Sequence, residues 1–292
     1  MKVAIYGRTF KGNASEKAVK TLVRKLENSG VETIFYKPFL KELGKNVKPD
    51  GVKTFTGHKE IKDKVDFLFS VGGDGTLLKT LSLVRDSGIP VMGINTGRLG
   101  FLSSISADEI ENAVDAVLKG KFDLDNRLLL EFDIDGNYFS DCRYALNEVA
   151  VQKTDSSSMI TIHASVNGKF LNTYWSDGLI VATPTGSTAY SLSCGGPIVM
   201  PDSDNFVITP IATHNLNVRP VIISSNDVVT LVVESRNPNY LVSLDSHSEN
   251  ISSSFKLKIK KAGFNMSLVK LHNHDFLSTL RNKLNWGVDK RN

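Results

Sequence analysis

Along the first hundred residues the apolar positions change period at regular intervals. Val3–Gly7 is a short apolar run that reads as a buried strand, and from Ser15 to Asn28 the residues Ala18, Val19, Leu22, Val23 and Leu26 recur at helical spacing on one face. Gly30 is placed to stop that helix, and Val31–Tyr36 returns to a strand pattern. Residues 43–60 mix Gly, Lys, Pro and Asp without a period and read as a mobile surface loop. Val65–Val71 is a third strand, Thr76–Arg85 a helix ended by Gly88, and Ile89–Ile94 a fourth strand. Strands alternating with helices predict a parallel sheet, with ligands beyond the carboxyl ends of its strands.

After a helical stretch from Ala107 to Leu118 the period shortens. Leu128–Ile134, Tyr144–Val151, Ile160–Val166, Leu179–Ala182, Val207–Ile211, Val221–Ile223, Val228–Val233, Tyr240–Leu244 and Phe255–Ile259 all read as strands. Asp135-Gly136 and Asn167-Gly168 carry the dipeptide signal of two-residue hairpins. The reading is an α/β N-terminal domain with a Rossmann-like parallel sheet over residues 1–105, then an all-β, sandwich-like domain over 106–269. The tail, 270–292, is helical from Asp275 to Trp286 with Phe276, Leu277, Leu280 and Leu284 on one side, and is expected to pack back on the first domain.

Composition narrows the classes. With 292 residues the chain can bury a large core, and a net charge of +4 without a basic block gives no reason to expect nucleic acid. Cys142 and Cys194 are too few for a disulfide framework and form no Cys-x-x-Cys pair. The opening residues read as a strand rather than a signal peptide, and no apolar stretch approaches bilayer length. A soluble cytoplasmic protein, free of membrane, is the expectation.

The candidate chemistry starts at Gly72-Gly73-Asp74-Gly75-Thr76, between the third strand and its helix. Glycine lets the backbone approach an anion closely, and free N–H groups at a helix start attract phosphate. Asp74 is out of place in a simple phosphate cradle, since a carboxylate repels phosphate unless it binds a metal or takes a proton. The loop is not a Walker A motif, because no Gly-Lys-Ser/Thr follows, and it lacks the third glycine of a dinucleotide fingerprint. By itself it suits either phosphoryl transfer or a tight turn whose Asp caps a helix. Asn147-Glu148 pairs an amide with a carboxylate. Asp177–Tyr190 runs an apolar strand into Thr183-Pro184-Thr185-Gly186-Ser187-Thr188, where clustered hydroxyls and N–H groups suit a ribose, an amide or a phosphate. Ser191–Val199 adds a second glycine-rich bend.

In this order, Gly72–Thr76, Asn147-Glu148, Asp177–Tyr190, Gly195-Gly196-Pro197-Ile198 and Pro210-Ile211-Ala212-Thr213-His214 with Arg219-Pro220 resemble the NAD kinase family over about residues 65–250. The Thr-Pro-Thr-Gly-Ser-Thr-Ala-Tyr block is the specific one; the Gly-Gly-Asp-Gly-Thr block is shared with lipid kinases and phosphofructokinases. The resemblance implies transfer of the ATP γ-phosphoryl group to the 2′-hydroxyl of the adenosine ribose of NAD, giving NADP, with Mg2+ carried in on ATP. It implies Asp74 as acceptor of the hydroxyl proton, with Gly75 bordering the phosphates. Lys79 is either a phosphate partner or a solvated lysine. Asn147, Glu148, Asp177, Thr188, Ala189, Tyr190, Ser191, Leu192, Ser193 and Ala212 match the nucleotide-binding positions. The family also implies a homo-oligomer, dimer or tetramer, with Asp177 in a segment contributed across subunits.

His247 falls where family members vary and reads as an exposed loop histidine; His214 reads as structural, and His272-Asn273-His274-Asp275 as a surface turn. Ser176 and Val181 depart from the family pattern, with consequences for donor or substrate preference. Two rivals remain in view: a diacylglycerol-type lipid kinase, which would need an apolar substrate surface, and a catalytically silent NAD(P)-binding sensor, in which Asp74 would only repel phosphate.

Overall fold

A computed structural model describes residues 1–8, 13–43, 51–97, 100–154, 158–272 and 275–286. The chain divides into two compact units, residues 1–126 with 266–292, and residues 127–265.

The first unit is built on a mostly parallel sheet in the order Lys53–Phe55, Glu32–Tyr36, Lys2–Gly7, Phe67–Val71, Val91–Asn95, Met266–Lys270, Asp123–Arg127, with Ile105–Ser106 alongside Val91–Asn95. The helix Asn13–Asn28 buries all five residues of its apolar face against it. Each of its valine and leucine side chains contributes roughly 1.5–3 kcal/mol relative to exposure. The helix Ile110–Leu118 lies in the same core through Ile110, Ala113, Val114 and Val117, and Lys25 meets Asp115 at 2.7 Å. The first unit therefore runs on past residue 105, because this helix has its apolar face on the parallel sheet. Its later segment begins at Met266, whose strand pairs in parallel with Val91–Asn95, and continues into the helix Phe276–Leu284 capped by Asp275.

The second unit has two six-stranded antiparallel sheets. One runs Val221–Ser224, Asn205–Ile211, Gly178–Ala182, Glu148–Gln152, Asn239–Leu244, His247–Ser252; the other Lys169–Ser176, Ile160–Val166, Val229–Glu234, Lys256–Lys261, Leu130–Asp133, Tyr144–Ala145. Their inner faces share one core, Val149, Val181, Val242 and Phe206 from the first meeting Ile162, Leu231, Phe132 and Ile259 from the second.

Three local expectations need correction. The stretch 43–60 is not structureless: the strand Lys53–Phe55 and the short helix His58–Ile61 lie in it, while 44–50 fall outside the described residues. Asp135-Gly136 is not a two-residue hairpin, since the strands it separates pair Leu130 with Ala145. Asn167-Gly168 is one, with Val166 opposite Lys169 and φ of +50° and +77°. Finally, Tyr144–Val151 is two strands, Tyr144–Ala145 in one sheet and Glu148–Gln152 in the other, so the chain changes sheets at Leu146-Asn147. Among the described residues no helix is long and apolar enough to cross a membrane.

Candidate active site

In the first unit the turn after Phe67–Val71 is shaped by its glycines. Gly72 has φ +149°, and a Cβ there would strike the Thr76 side chain. Gly73 is extended and precedes the helix Asp74–Val84, with Asp74 as its first residue. Exposed Gly73 and Gly75 flank Asp74.

The Asp74 carboxylate is held by a segment 27 to 29 residues further on. Its Oδ2 accepts the N–H of Phe101 at 2.8 Å, and its Oδ1 accepts those of Leu102 at 3.1 Å and Ser103 at 2.9 Å. Gly100 has no room for a Cβ against that carboxylate. The buried Asn95 braces the segment, donating to the Ser103 carbonyl at 3.3 Å and accepting the Gly97 N–H at 2.7 Å. The Phe101 ring lies 6.3 Å from that of Phe276, on the C-terminal helix. Further along the Asp74 helix, partial burial pushes the Lys79 ammonium below its usual value, and the positive charge of Arg8 adds to the shift. A second cation nearby favours an anion beside Lys79.

In the second unit Asn147, Glu148 and the Thr183–Gly186 turn lie at the point where the chain changes sheets, whereas Asp177 and Ala212 lie at the other end of Glu148–Gln152, where Gly178 pairs with Gln152 and with Ile211. Asn147 is buried, and its carbonyl accepts the Thr183 N–H at 2.8 Å; the Thr183 hydroxyl donates to the Leu146 carbonyl. Gly186 lies so close over the Asn147 backbone that a Cβ would not fit. Glu148 has one carboxyl oxygen buried without a partner. Burial above all, and then the charge of Asp245, push Glu148 up to about 8, against a hydrogen bond from the Tyr190 N–H. The Tyr190 hydroxyl accepts from Gln152 at 3.1 Å and its ring is partly exposed. Asp177 pairs with Lys153 at 2.7 Å. Thr188, Ala189, Leu192 and Ser193 reach the surface to differing degrees. Ala212 is exposed and held at φ +43° at the end of the strand Asn205–Ile211.

The hydroxyl-rich segment is mostly turned inward. Thr183, Thr185, Ser187 and Ser191 are buried: Thr185 accepts from Arg127, Ser187 binds the Pro184 and Val199 backbones, and Ser191 meets Thr209 at 2.8 Å. Those four hydroxyls hold the loop, the Thr188 hydroxyl donates to the Thr185 carbonyl at 3.2 Å, and the N–H groups of Gly186, Ser187, Ala189 and Leu192 are bonded within it; Tyr190 and Ser193 are its exposed side chains. Ser176 and Val181 are fully buried, the first bonded to the Gly178 carbonyl and the second in the inter-sheet core. The His247 ring packs edge-on against Phe139 and is exposed, His214 stacks on Trp175, and His272 lies 3.6 Å from Asp123; residues 273–274 fall outside the described residues.

Sequence reasoning passed over Asp245, whose carboxylate accepts three N–H bonds from Leu146, Asn147 and Glu148. The available signal was a charged residue at a hairpin position that neutral asparagine or glycine fills equally well.

Two family models match, the ATP-NAD kinase N-terminal domain over residues 10–122 and the ATP-NAD kinase C-terminal domain over 146–271. Among similar curated proteins, an NAD kinase of Cytophaga hutchinsonii is 46% identical over 291 residues, covering 99% of each chain. One of Bacteroides fragilis is 45% identical with 100% of each covered. Among solved structures, yeast NADH kinase complexed with NADH shares the fold with a TM-score of 0.87 at 23% identity, over 99% of this chain and 89% of that one. An NAD kinase from Archaeoglobus fulgidus in complex with ATP aligns with a TM-score of 0.75 at 27% identity, over 98% and 99%. Matched across both units and at this identity from end to end, the chain belongs to the NAD kinase family of phosphotransferases.

Proposed function

We propose that the protein transfers the γ-phosphoryl group of ATP to the 2′-hydroxyl of the adenosine ribose of NAD, with Asp74 taking the hydroxyl proton. The observation that carries this is the state of the Asp74 carboxylate. A carboxylate offers about four acceptor positions, and the N–H groups of Phe101, Leu102 and Ser103 occupy three. The remaining position is fixed in direction and suits one hydroxyl. As the 2′-oxygen bonds to the γ-phosphorus, its proton passes to Asp74, the bond from the γ-phosphorus to the β,γ-bridging oxygen breaks, and ADP leaves. Little covalent work falls to the protein in such a transfer; orientation and charge neutralisation dominate.

The N–H groups at the start of the Asp74 helix, Gly75 and Lys79 suit phosphate oxygens. That donor set suits an anion rather than a cation, so the residues fit a Mg2+ held on the triphosphate, which keeps its waters and has few protein ligands. When bound, the ion neutralises phosphate charge. Asn147, Glu148, Asp177, Thr188, Ala189, Tyr190, Leu192, Ser193 and Ala212 serve the dinucleotide, Tyr190 offering a flat face and a polar tip, while buried Ser191, bonded to Thr209, supports the segment from within. Support for the two substrates comes from relatives solved with NADH and with ATP. The hydroxyl-rich loop is no argument against a lipid substrate, since four of its hydroxyls are spent internally; family membership is the stronger reason to set that rival aside.

We also place the protein in the cytoplasm as a homo-oligomer, with Asp177 contributed across subunits. Incubation with ATP, Mg2+ and NAD, followed by an NADP-specific dehydrogenase assay, tests the reaction; absence of NADP refutes it. Mixing Asp74→Asn with Asp177→Ala after subunit exchange tests the shared site, and continued inactivity with confirmed exchange refutes it.

A further inference from the structure

We propose that Asp245 is a positioning residue for the dinucleotide, holding the Leu146–Glu148 corner through its carboxylate so that Asn147 and Glu148 are presented at a fixed angle. This deepens the NAD kinase reading and rests on it. Asp245 is the first residue of the two-residue turn between Asn239–Leu244 and His247–Ser252, where Leu244 pairs with His247, and its φ is +51°. Asparagine or glycine meets the demands of such a turn, so the hairpin does not explain a carboxylate.

The corner does. Oδ2 accepts the Leu146 N–H at 2.8 Å, and Oδ1 accepts those of Asn147 at 2.8 Å and Glu148 at 3.0 Å. The Asp245 N–H returns a bond to the Glu148 carbonyl at 3.0 Å. From the other side the Leu146 and Asn147 carbonyls are taken by Thr183. With the backbone of the corner bonded on both sides, its side chains are what remains for a ligand.

Three converging N–H groups need an acceptor on both branches of the side chain. A carboxylate supplies that with charge-assisted bonds, whereas an amide accepts on one branch and would turn its NH2 toward a donor. Loss of hydration raises Asp245 to about 6 even though all three N–H bonds pull it down. Its charge also adds to the raising of Glu148. A charge kept there against those costs is explained by the geometry it imposes on the corner.

Asp245→Asn isolates the charge, because asparagine accepts the left-handed backbone that alanine resists. We expect KM for NAD to rise about tenfold, equivalent to about 1.4 kcal/mol, with KM for ATP within about twofold and kcat falling less than KM for NAD rises. NAD binding measured calorimetrically without ATP should weaken by the same factor, a readout independent of whether turnover occurs. Amide exchange at Leu146, Asn147 and Glu148 should accelerate while exchange in the parallel sheet stays unchanged. The proposal is overturned if NAD affinity stays within about twofold of the parent. It is equally overturned if only the apparent kcat falls, in proportion to the unfolded fraction, while both KM values stay at those of the parent. Asp245→Ala, which removes every acceptor and also strains the turn, should weaken NAD at least as much as Asp245→Asn; an Asp245→Ala affinity within about twofold of the parent overturns the proposal.

Discussion

Asp74 and Asp245 stand in different units and share one hydrogen-bond arrangement. In each, one carboxylate oxygen accepts two consecutive backbone N–H groups and the other oxygen accepts a third. Their surroundings differ. Asp74 opens a helix between two exposed glycines, while Asp245 sits at a turn with its carboxylate desolvated beside Glu148. The same clamp therefore has two uses: at Asp74 it orients a carboxylate between exposed glycines, and at Asp245 a desolvated carboxylate holds other residues in place.

The largest expected effect tests the first use. Asp74→Asn should lower kcat on the order of 10²–10⁴-fold, roughly 3–5 kcal/mol of barrier. From the loop sequence alone the swap looks nearly silent for stability. With three N–H donors on the carboxylate, about 1–2 kcal/mol of stability should go too, read from urea denaturation. A parent-like kcat in a folded variant refutes the assignment of Asp74.

Two glycines allow the units to be disturbed in parallel. Gly100→Ala crowds the Asp74 carboxylate and Gly186→Ala crowds the Asn147 backbone. A misplacement of reacting groups by about 1 Å can cost about 10²-fold. Gly100→Ala should act on kcat, and Gly186→Ala on KM for NAD. If both variants change the same constant, the division of labour between the units is wrong.

Glu148 sharpens the buried side of the comparison. Its folded-state value, about 8, lies above an ordinary carboxyl near 4.5, and Asp245 rises in the same sense to about 6. The folded state thus binds these protons more tightly, and their contribution to stability falls as pH rises from about 4.5 to 8. Glu148→Gln should be more stable than the parent at pH 9 by on the order of 2 kcal/mol, with little gain at pH 4. Urea melts at the two pH values check this, and an equal gain at both refutes the burial argument. The smallest effect belongs to Lys79→Ala: a rise of roughly threefold to tenfold in KM for ATP, with KM for NAD unchanged. A shift in KM for NAD alone would move Lys79 out of the phosphate site.

Much of this was legible in the chain. Period and glycine placement located the four central parallel strands, the Gly72–Thr76 turn and most antiparallel strands, because each is a local consequence of burial or of φ; Lys53–Phe55, Asp123–Arg127 and Met266–Lys270, which complete the first sheet, were missed. What was not legible depends on contacts distant in sequence. Tyr144–Val151 is apolar enough to read as one strand, and only the Asp245 N–H bonds and the Thr183 contacts reveal the break at Leu146-Asn147. The hydroxyls of Thr183–Ser191 looked available because nothing local shows that Val199, Thr209 and Arg127 consume them. The helix Ile110–Leu118 lay beyond the expected boundary at 105 because amphipathicity shows that a face is buried but not against which sheet.

The sheet change at Leu146-Asn147 also links recognition to assembly. Tyr144–Ala145 finds its partner in one sheet and Glu148–Gln152 in the other, so the corner between them exists only when both sheets are registered. A half-formed sandwich, with either sheet unzipped, has no corner to offer. A ligand of this corner thus binds the finished fold alone and draws the folding equilibrium toward it by mass action. If the dinucleotide is that ligand, its concentration in the surrounding solution helps set the folded fraction of the β-rich unit.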